Sequence, residues 1–396
     1  MTKKKFLFLT ADAGFGHRSA SNAVMQALYD LHGEDCECKI INPVYQQSTP
    51  LIFRRSQSGY DAMVKHNPML YEFSYKVSDS IPASNMVNGV ATIFLYKSIQ
   101  EIFADYRPDG IISTYHLYQT PLKTVQTLTR CRIPAFLIVT DLSDVHKLWF
   151  QRSPEKLFVP TERVRDEALA CGFPEEKIVV SGIPVNPSIA REMRSKLEIR
   201  EKLGWRSDLT TVLAVGSRRV EHMLEHLTAI DAAHLPVQLV VAAGGDQELY
   251  TQLKQRTWQI PVQFYEYAAN ISEMMLASDV LISKAGGLVT AEGLACGLPI
   301  ILIDSLPGQE SGNVTYVCGS GAGVTVQGPQ DMLKTLALWL QNEQKVLKQV
   351  AAHSKQLGRP AAAYQIAELA WQGVEEYQAH SVRSVRHPLF PWNLPR

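Results

Sequence analysis

Short runs that are apolar at every position recur along the chain, separated by stretches long enough to form helices. They predict strands at Lys5–Thr10, Cys38–Asn42, Gly110–Ser113, Ala135–Val139, Lys156–Val159 and Ile178–Ser181. Further strands are predicted at Thr211–Val215, Val237–Ala242, Val262–Phe264, Val280–Ser283 and Pro299–Ile303. Runs without alternation suit parallel strands covered on both faces. The helices between them make βαβ units, and so an α/β fold of doubly wound sheets. The pattern breaks at Gly182-Ile-Pro184-Val-Asn-Pro187, because two prolines so close fit neither a helix nor a central strand. The expected organisation is an N-terminal domain over 1–186, a charged linker over 187–204, a second domain over 205–375 and a tail over 376–396. Residues 330–378 read as helical apart from Gly358-Arg-Pro360.

Charge and composition narrow the function. Lys plus Arg is 39 and Asp plus Glu is 39, so the formal net charge is zero. That gives no broad field for phosphates and speaks against a dedicated nucleic-acid binder. No run reaches the roughly 18 apolar residues of a membrane-spanning helix. The apolar run behind Lys3-Lys4-Lys5 is too short for a signal peptide and reads as a first strand. Six scattered cysteines, with Cys36-x-Cys38 the lone close pair, fit a reduced cytosolic interior better than a metal site. Residues 51–103 carry Phe53, Tyr60, Met63, Met69, Leu70, Tyr71, Phe73, Tyr75, Met86, Phe94, Tyr96 and Phe103, with Arg54, Arg55, Lys65, Lys76 and Lys97 interleaved. This stretch reads either as amphipathic helices on the sheet or as a surface that meets a membrane interface.

Two glycine loops, each between a strand and a helix, are the candidate chemistry. The first, Gly14-Phe-Gly16-His17-Arg18-Ser19, lacks the third glycine of a dinucleotide turn. The second strand ends at Asn42 where an NAD enzyme places an acid, so that reading fails. His17 stands at the sheet's C-terminal edge, either as a base for a hydroxyl nucleophile or as an orienter of its own loop. The second, Ser283-Lys284-Ala-Gly286-Gly287-Leu-Val-Thr290-Ala-Glu292, presents free N–H groups and a helix dipole to a diphosphate. Glu292 suits a pair of ribose hydroxyls, or simply complements the helix start. A polar cluster follows the next strand, with Gln309, Glu310 and Asn313 able to read sugar hydroxyls.

Taken in order, these motifs carry a resemblance. They are Gly-x-Gly-His-Arg, His116 within Tyr115-His-Leu-Tyr118-Gln119, Thr140-Asp141-Leu with His146 and Trp149, and Pro160-Thr-Glu. The second half adds Ser283-Lys-Ala-Gly-Gly, Ala291-Glu292, Gly297-Leu-Pro and Pro307-Gly-Gln-Glu-x-Gly-Asn313. Over about residues 6–325 the chain resembles the monogalactosyldiacylglycerol synthases and bacterial diacylglycerol glucosyltransferases. More distantly it is similar to the lipid-linked N-acetylglucosaminyltransferase of peptidoglycan synthesis.

The resemblance implies two facing Rossmann-like domains of GT-B type with a cleft between them. It implies an inverting, metal-independent hexose transfer from a UDP-sugar, as co-substrate and not cofactor, to the hydroxyl of diacylglycerol. By position it makes His17 the base, with Asp141 supporting it. It puts the donor at Gly216, Arg218, Tyr265, Tyr267, Lys284, Gly286, Gly287, Thr290, Glu292, Gln309, Glu310 and Asn313. It puts the acceptor at Gly16, His116, Tyr118, His146 and Trp149. It also implies docking of residues 51–103 on a membrane with anionic lipids, at the inner face of the cell membrane. Two departures stand out: Val215-Gly216-Ser-Arg218-Arg219 replaces a run of glycines, and Gly287-Leu-Val replaces Pro-Gly-Thr. The first leaves open a membrane-surface binding protein with altered or lost donor use. A UDP-sugar epimerase on the same fold is the third reading.

Overall fold

A computed structural model describes residues 3–12, 16–54, 79, 81–306, 308 and 310–384. Each predicted strand forms, within two residues of its expected ends: β1 (Lys4–Leu9), β2 (Cys36–Ile41), β3 (Gly110–Ser113), β4 (Ala135–Ile138), β5 (Lys156–Val159) and β6 (Ile178–Val180) in the first half. The second half holds β7 (Thr210–Val215), β8 (Val237–Ala242), β9 (Val262–Tyr265), β10 (Val280–Lys284), β11 (Ile300–Asp304) and an unpredicted β12 (Gly323–Thr325). They build two six-stranded sheets in the orders β2-β1-β3-β4-β5-β6 and β12-β11-β10-β7-β8-β9. Every pairing is parallel. Strand order reverses beside β1 in the first sheet and between β7 and β10 in the second. In open parallel sheets such reversals leave a crevice at the strands' C-terminal ends. The loops after β1, β3 and β10 open there.

The apolar runs are buried on both faces. Phe6 and Phe8 of β1 pack against Val24 and Leu28 of α1 (Gly16–His32), while Leu7 and Leu9 pack against α2 (Ile81–Tyr106). Each such side chain contributes about 1.5–3 kcal/mol on burial. The second sheet is enclosed in the same way, with Leu213 and Leu281 on one face and Val212 and Ile282 on the other.

Two expectations about organisation need correction. The region 330–378 is interrupted a second time, at Asn342–Gln344, where three consecutive residues have positive φ. The last helix, Ala362–Ser384, does not belong to the second lobe: Ala363, Ile366, Ala370 and Val374 sit in the core under the first sheet. Its apolar stripe lies beside α1 on the same face of the sheet. The linker helix Lys196–Leu203 is fastened to the second lobe instead, through Arg200 to Asp279 and Lys202 Nζ to Glu273 Oε1 at 2.6 Å.

Helix α2 resolves part of the aromatic stretch. Ala91, Leu95, Ile99 and Phe103 face the core, and Met86, Val90 and Ile93 face outward. Phe53 of the short helix Leu51–Arg54 stacks on Phe94 at 5.2 Å, which sets exposed Leu51 and Ile52 beside that outward face. Residues 55–78, with Tyr60, Met63, Met69, Leu70, Tyr71, Phe73 and Tyr75, lie outside the described residues, as do Gln309 and the tail from 385.

Candidate active site

His17 opens α1 after β1, as its position in the sequence suggests, and is 8% exposed. Its Nδ1 lies 3.1 Å from Thr140 Oγ1, and its backbone carbonyl accepts from Thr114 Oγ1 at 3.0 Å. Burial lowers the imidazole to about 4, against a smaller raising effect from the Thr114 backbone contact. The ring is therefore neutral at ordinary pH. Tyr115 meets it edge-on at 5.2 Å and Trp149 lies at 6.3 Å. His116 and His146 stack parallel at 6.2 Å, and His116 is 5.0 Å from Trp149. Burial, and then the neighbouring His146 and His17, hold His116 far below its usual range. His146 caps the turn Lys147–Phe150 by accepting from the Leu148 N–H at 3.1 Å, which fixes Trp149 in place. Four expected residues, His17, His116, His146 and Trp149, thus form one aromatic wall. Tyr118 does not join it. Its hydroxyl is fully buried and donates to Asn42 Oδ1 at 2.9 Å, tying two strand ends together.

The facing wall is the start of α3 (Gly287–Ala295) and of α4 (Ser311–Gly319). Lys284 pairs with Glu310, whose other oxygen accepts from the Leu306 N–H at 2.8 Å. Thr290 is buried with an unpartnered hydroxyl. Glu292 is 8% exposed, and burial raises its carboxyl to about 7. Asn313 is fully buried, accepting from the Leu142 N–H at 2.7 Å and donating to the Ala285 carbonyl at 2.8 Å. Its amide bridges the lobes, a use that its expected sugar-binding role did not include.

The lobes touch through the segment Thr140–Asp144. A Cβ on Gly287 would lie 2.1 Å from the Thr140 carbonyl oxygen and 3.4 Å from Asp141 Oδ1, and one on Gly312 would lie 2.1 Å from the Ser143 carbonyl. Only glycine lets these backbones approach. Gly16 faces Leu288 of the opposite lobe, 3.7 Å from where its own Cβ would be. Thr140 therefore joins both walls, with its hydroxyl on His17 and its carbonyl on the first residue of α3. The sequence displayed Thr140 beside Asp141 but gave no sign of this bridge, because it depends on how the lobes close.

The remaining expected donor residues lie after β7 and around the end of β9. Gly216 donates its N–H to the Ala242 carbonyl at 2.8 Å, and the exposed Arg218 reaches the Gly245 carbonyl at 3.3 Å. Arg218 thus braces a neighbouring loop. Tyr265 donates to Gln263 Oε1 at 2.8 Å, beside the Trp205 indole. Tyr267 is 71% exposed.

Comparison with known proteins follows this geometry. A family model described as Monogalactosyldiacylglycerol (MGDG) synthase matches residues 17–185, and one described as Glycosyl transferases group 1 matches residues 195–356. The chain is 32% identical to the monogalactosyldiacylglycerol synthase of Spinacia oleracea, over 92% of this chain and 71% of that protein. It is 31% identical to monogalactosyldiacylglycerol synthase 3 of Arabidopsis thaliana, over 98% of this chain and 83% of that protein. Its fold matches Acinetobacter baumannii MurG with a TM-score of 0.60 at 13% identity, covering 93% of this chain and 99% of that one. The calicheamicin glycosyltransferase CalG4 matches at 0.57 and 13%, covering 94% and 99%. These likenesses confirm the GT-B fold. A buried histidine facing two helix starts, on a chain this similar to named synthases, has one family to join: the chain belongs to the monogalactosyldiacylglycerol synthases and is a glycosyltransferase.

Proposed function

We propose that this protein transfers a hexose from a UDP-sugar to the free hydroxyl of diacylglycerol, with inversion and without a catalytic metal. The observation that carries the reading is the bridge at Thr140, which sets a neutral imidazole opposite the start of α3. With Nδ1 donating to Thr140 Oγ1, Nε2 holds the lone pair. As the hydroxyl oxygen bonds to the anomeric carbon, its proton passes to Nε2. The bond from that carbon to the diphosphate breaks, and UDP leaves with the electron pair. The free N–H groups and dipole of α3 stabilise the developing charge. The sequence has no Asp-x-Asp motif, and Lys284, paired with Glu310, stands just before that turn. Thr140 and Asp141 cover this helix start in the closed arrangement, so donor entry needs the lobes to part and product formation needs them to close. Relatives whose names specify monogalactosyldiacylglycerol support the lipid product.

The acceptor comes from a membrane. Ile52, Met86 and Ile93 are 74%, 69% and 77% exposed on one patch, with Lys97 beside them. No helix among the described residues is long and apolar enough to cross a membrane. The reading places attachment at the membrane surface, by apolar insertion with help from local charge, on the cytoplasmic side of an anionic membrane. The test is glycolipid synthesis from UDP-galactose or UDP-glucose and diacylglycerol vesicles, with products separated by thin-layer chromatography. A hexosyl-diacylglycerol supports the reading. Tight UDP binding with no lipid product, or a sugar epimer without lipid, contradicts it.

A further inference from the structure

The wall around Trp149 holds more hydrogen-bonding capacity than the fold uses. Gln119 is 1% exposed, yet neither its Nε2 nor its Oε1 has a partner. His116 Nδ1 and Asn88 Oδ1 are also buried and unpartnered. The His116–Tyr118 turn is a 3-10 helix in which the Gln119 N–H bonds back to the His116 carbonyl. Side chains three residues apart eclipse in that geometry, so His116 and Gln119 lie on one side of the turn. Asn88 precedes Ala91 by one turn on the buried face of α2, which packs over Tyr118. His116 and His17 flank the same Trp149 indole, at 5.0 and 6.3 Å.

A buried amide with both ends unpaired is unusual and works against folding. A leucine or methionine would fill the same space without that penalty. The group makes sense as one half of an interaction whose other half arrives with a ligand. Resting on the reading that the acceptor is diacylglycerol, we propose that Gln119, with His116 and Asn88, forms a subsite for the acyl-ester group beside the reacting hydroxyl. Gln119 Nε2 donates to the ester carbonyl. Asn88 Oδ1 accepts the single O–H of the free hydroxyl on the adjacent glycerol carbon until that hydroxyl reaches His17 and donates to its Nε2 instead. The subsite is shut in this structure. A lipid reaches it by displacing the first turns of α2, whose outer face carries Met86, Val90 and Ile93. Asn88 on the inner face and that apolar row on the outer face make one helix both anchor and selector.

The test compares two lipids of equal chain length, a 1,2-diacylglycerol and a 1,2-dialkylglycerol that lacks carbonyls, in mixed micelles with UDP-hexose. Wild type is expected to favour the diacyl lipid by roughly ten-fold in kcat/KM, the factor of one hydrogen bond. In Gln119→Leu and in Gln119→Met the ratio falls toward one. The KM for UDP-hexose stays unchanged, and the melting temperature is equal or higher. A wild-type ratio near one overturns the subsite, as does an unchanged ratio in both variants. Loss of thermal stability in both variants also overturns it, because the amide is then structural. No product from either lipid overturns the glycolipid reading together with the subsite.

Discussion

His17 and Glu292 carry opposite electrostatic signatures, and each yields a test. Burial lowers His17 to about 4, so the proposed base keeps its lone pair across the working range. His17→Ala is expected to lower kcat by about 10²–10⁴-fold while UDP binding, measured by calorimetry, is retained. Glu292 runs the other way, raised to about 7 by burial. If its carboxylate receives ribose hydroxyls, UDP affinity weakens as pH falls below about 7, while kcat stays flat down to about pH 5. The stability consequence has a definite sign. A carboxyl that binds its proton more tightly when folded makes the native state hold more protons than the unfolded chain between 4.5 and about 7. Stability therefore falls as pH rises through that window. Glu292→Gln is expected to raise the melting temperature above pH 7, by about 1–3 kcal/mol of unfolding free energy, and to weaken UDP binding. Equal melting temperatures for the two proteins at pH 8 would show that the carboxylate is already compensated.

At the scale of elements, the segment Thr140–Asp144 and the starts of α3 and α4 act as one joint. Gly287→Ala and Gly312→Ala each place a Cβ 2.1 Å from a carbonyl oxygen of the opposite lobe. Each lobe should fold, yet the pair should not close. The expected result is a larger radius of gyration in small-angle scattering and activity reduced by at least about ten-fold, with melting close to wild type. Asn313→Ala leaves the buried Leu142 N–H without its acceptor and should open the joint at a cost of about 1–3 kcal/mol. The strands were legible because an unbroken apolar run has one reading when helices flank it. β12 was not, since Gly323-Val-Thr325 holds a single large apolar side chain and makes no run. The site was half legible. His17 and the Gly286–Gly287 turn announce themselves as glycine loops between strand and helix. The Asn313 bridge and the unpaired Gln119 amide do not, because both depend on which surfaces meet. Tyr118 shows the converse: its motif suggested a ligand, but a hydroxyl two strand ends can share becomes a brace.

Across the whole molecule, the final helix ties the end of the chain to the first sheet. The lobes are thus linked twice, at 182–204 and again before Ala362, which limits how they part. Chain order alone suggested a simple division at 186, because sequence periodicity marks a helix without saying which sheet it covers. In the proposed function, the exposed patch of Leu51, Ile52, Met86, Val90 and Ile93 sets the orientation on a membrane. Residues 54–132 hold nine Lys or Arg and six Asp or Glu, too small an excess to anchor the protein by charge alone. Flotation with anionic vesicles should weaken with salt but persist, and a triple Ile52→Ser, Met86→Ser, Ile93→Ser variant should lose it at all salt concentrations. Complete release of wild type at moderate salt would mean that no apolar insertion occurs.

In the proposed mechanism a buried imidazole takes the proton from a lipid hydroxyl at the mouth of a sugar-diphosphate site. The most direct measurement is the initial rate of hexosyl-diacylglycerol formation by wild type and His17→Ala under saturating UDP-hexose. The expected result is product from wild type and a rate at least about 10²-fold lower from a folded, UDP-binding variant. Equal rates would contradict it.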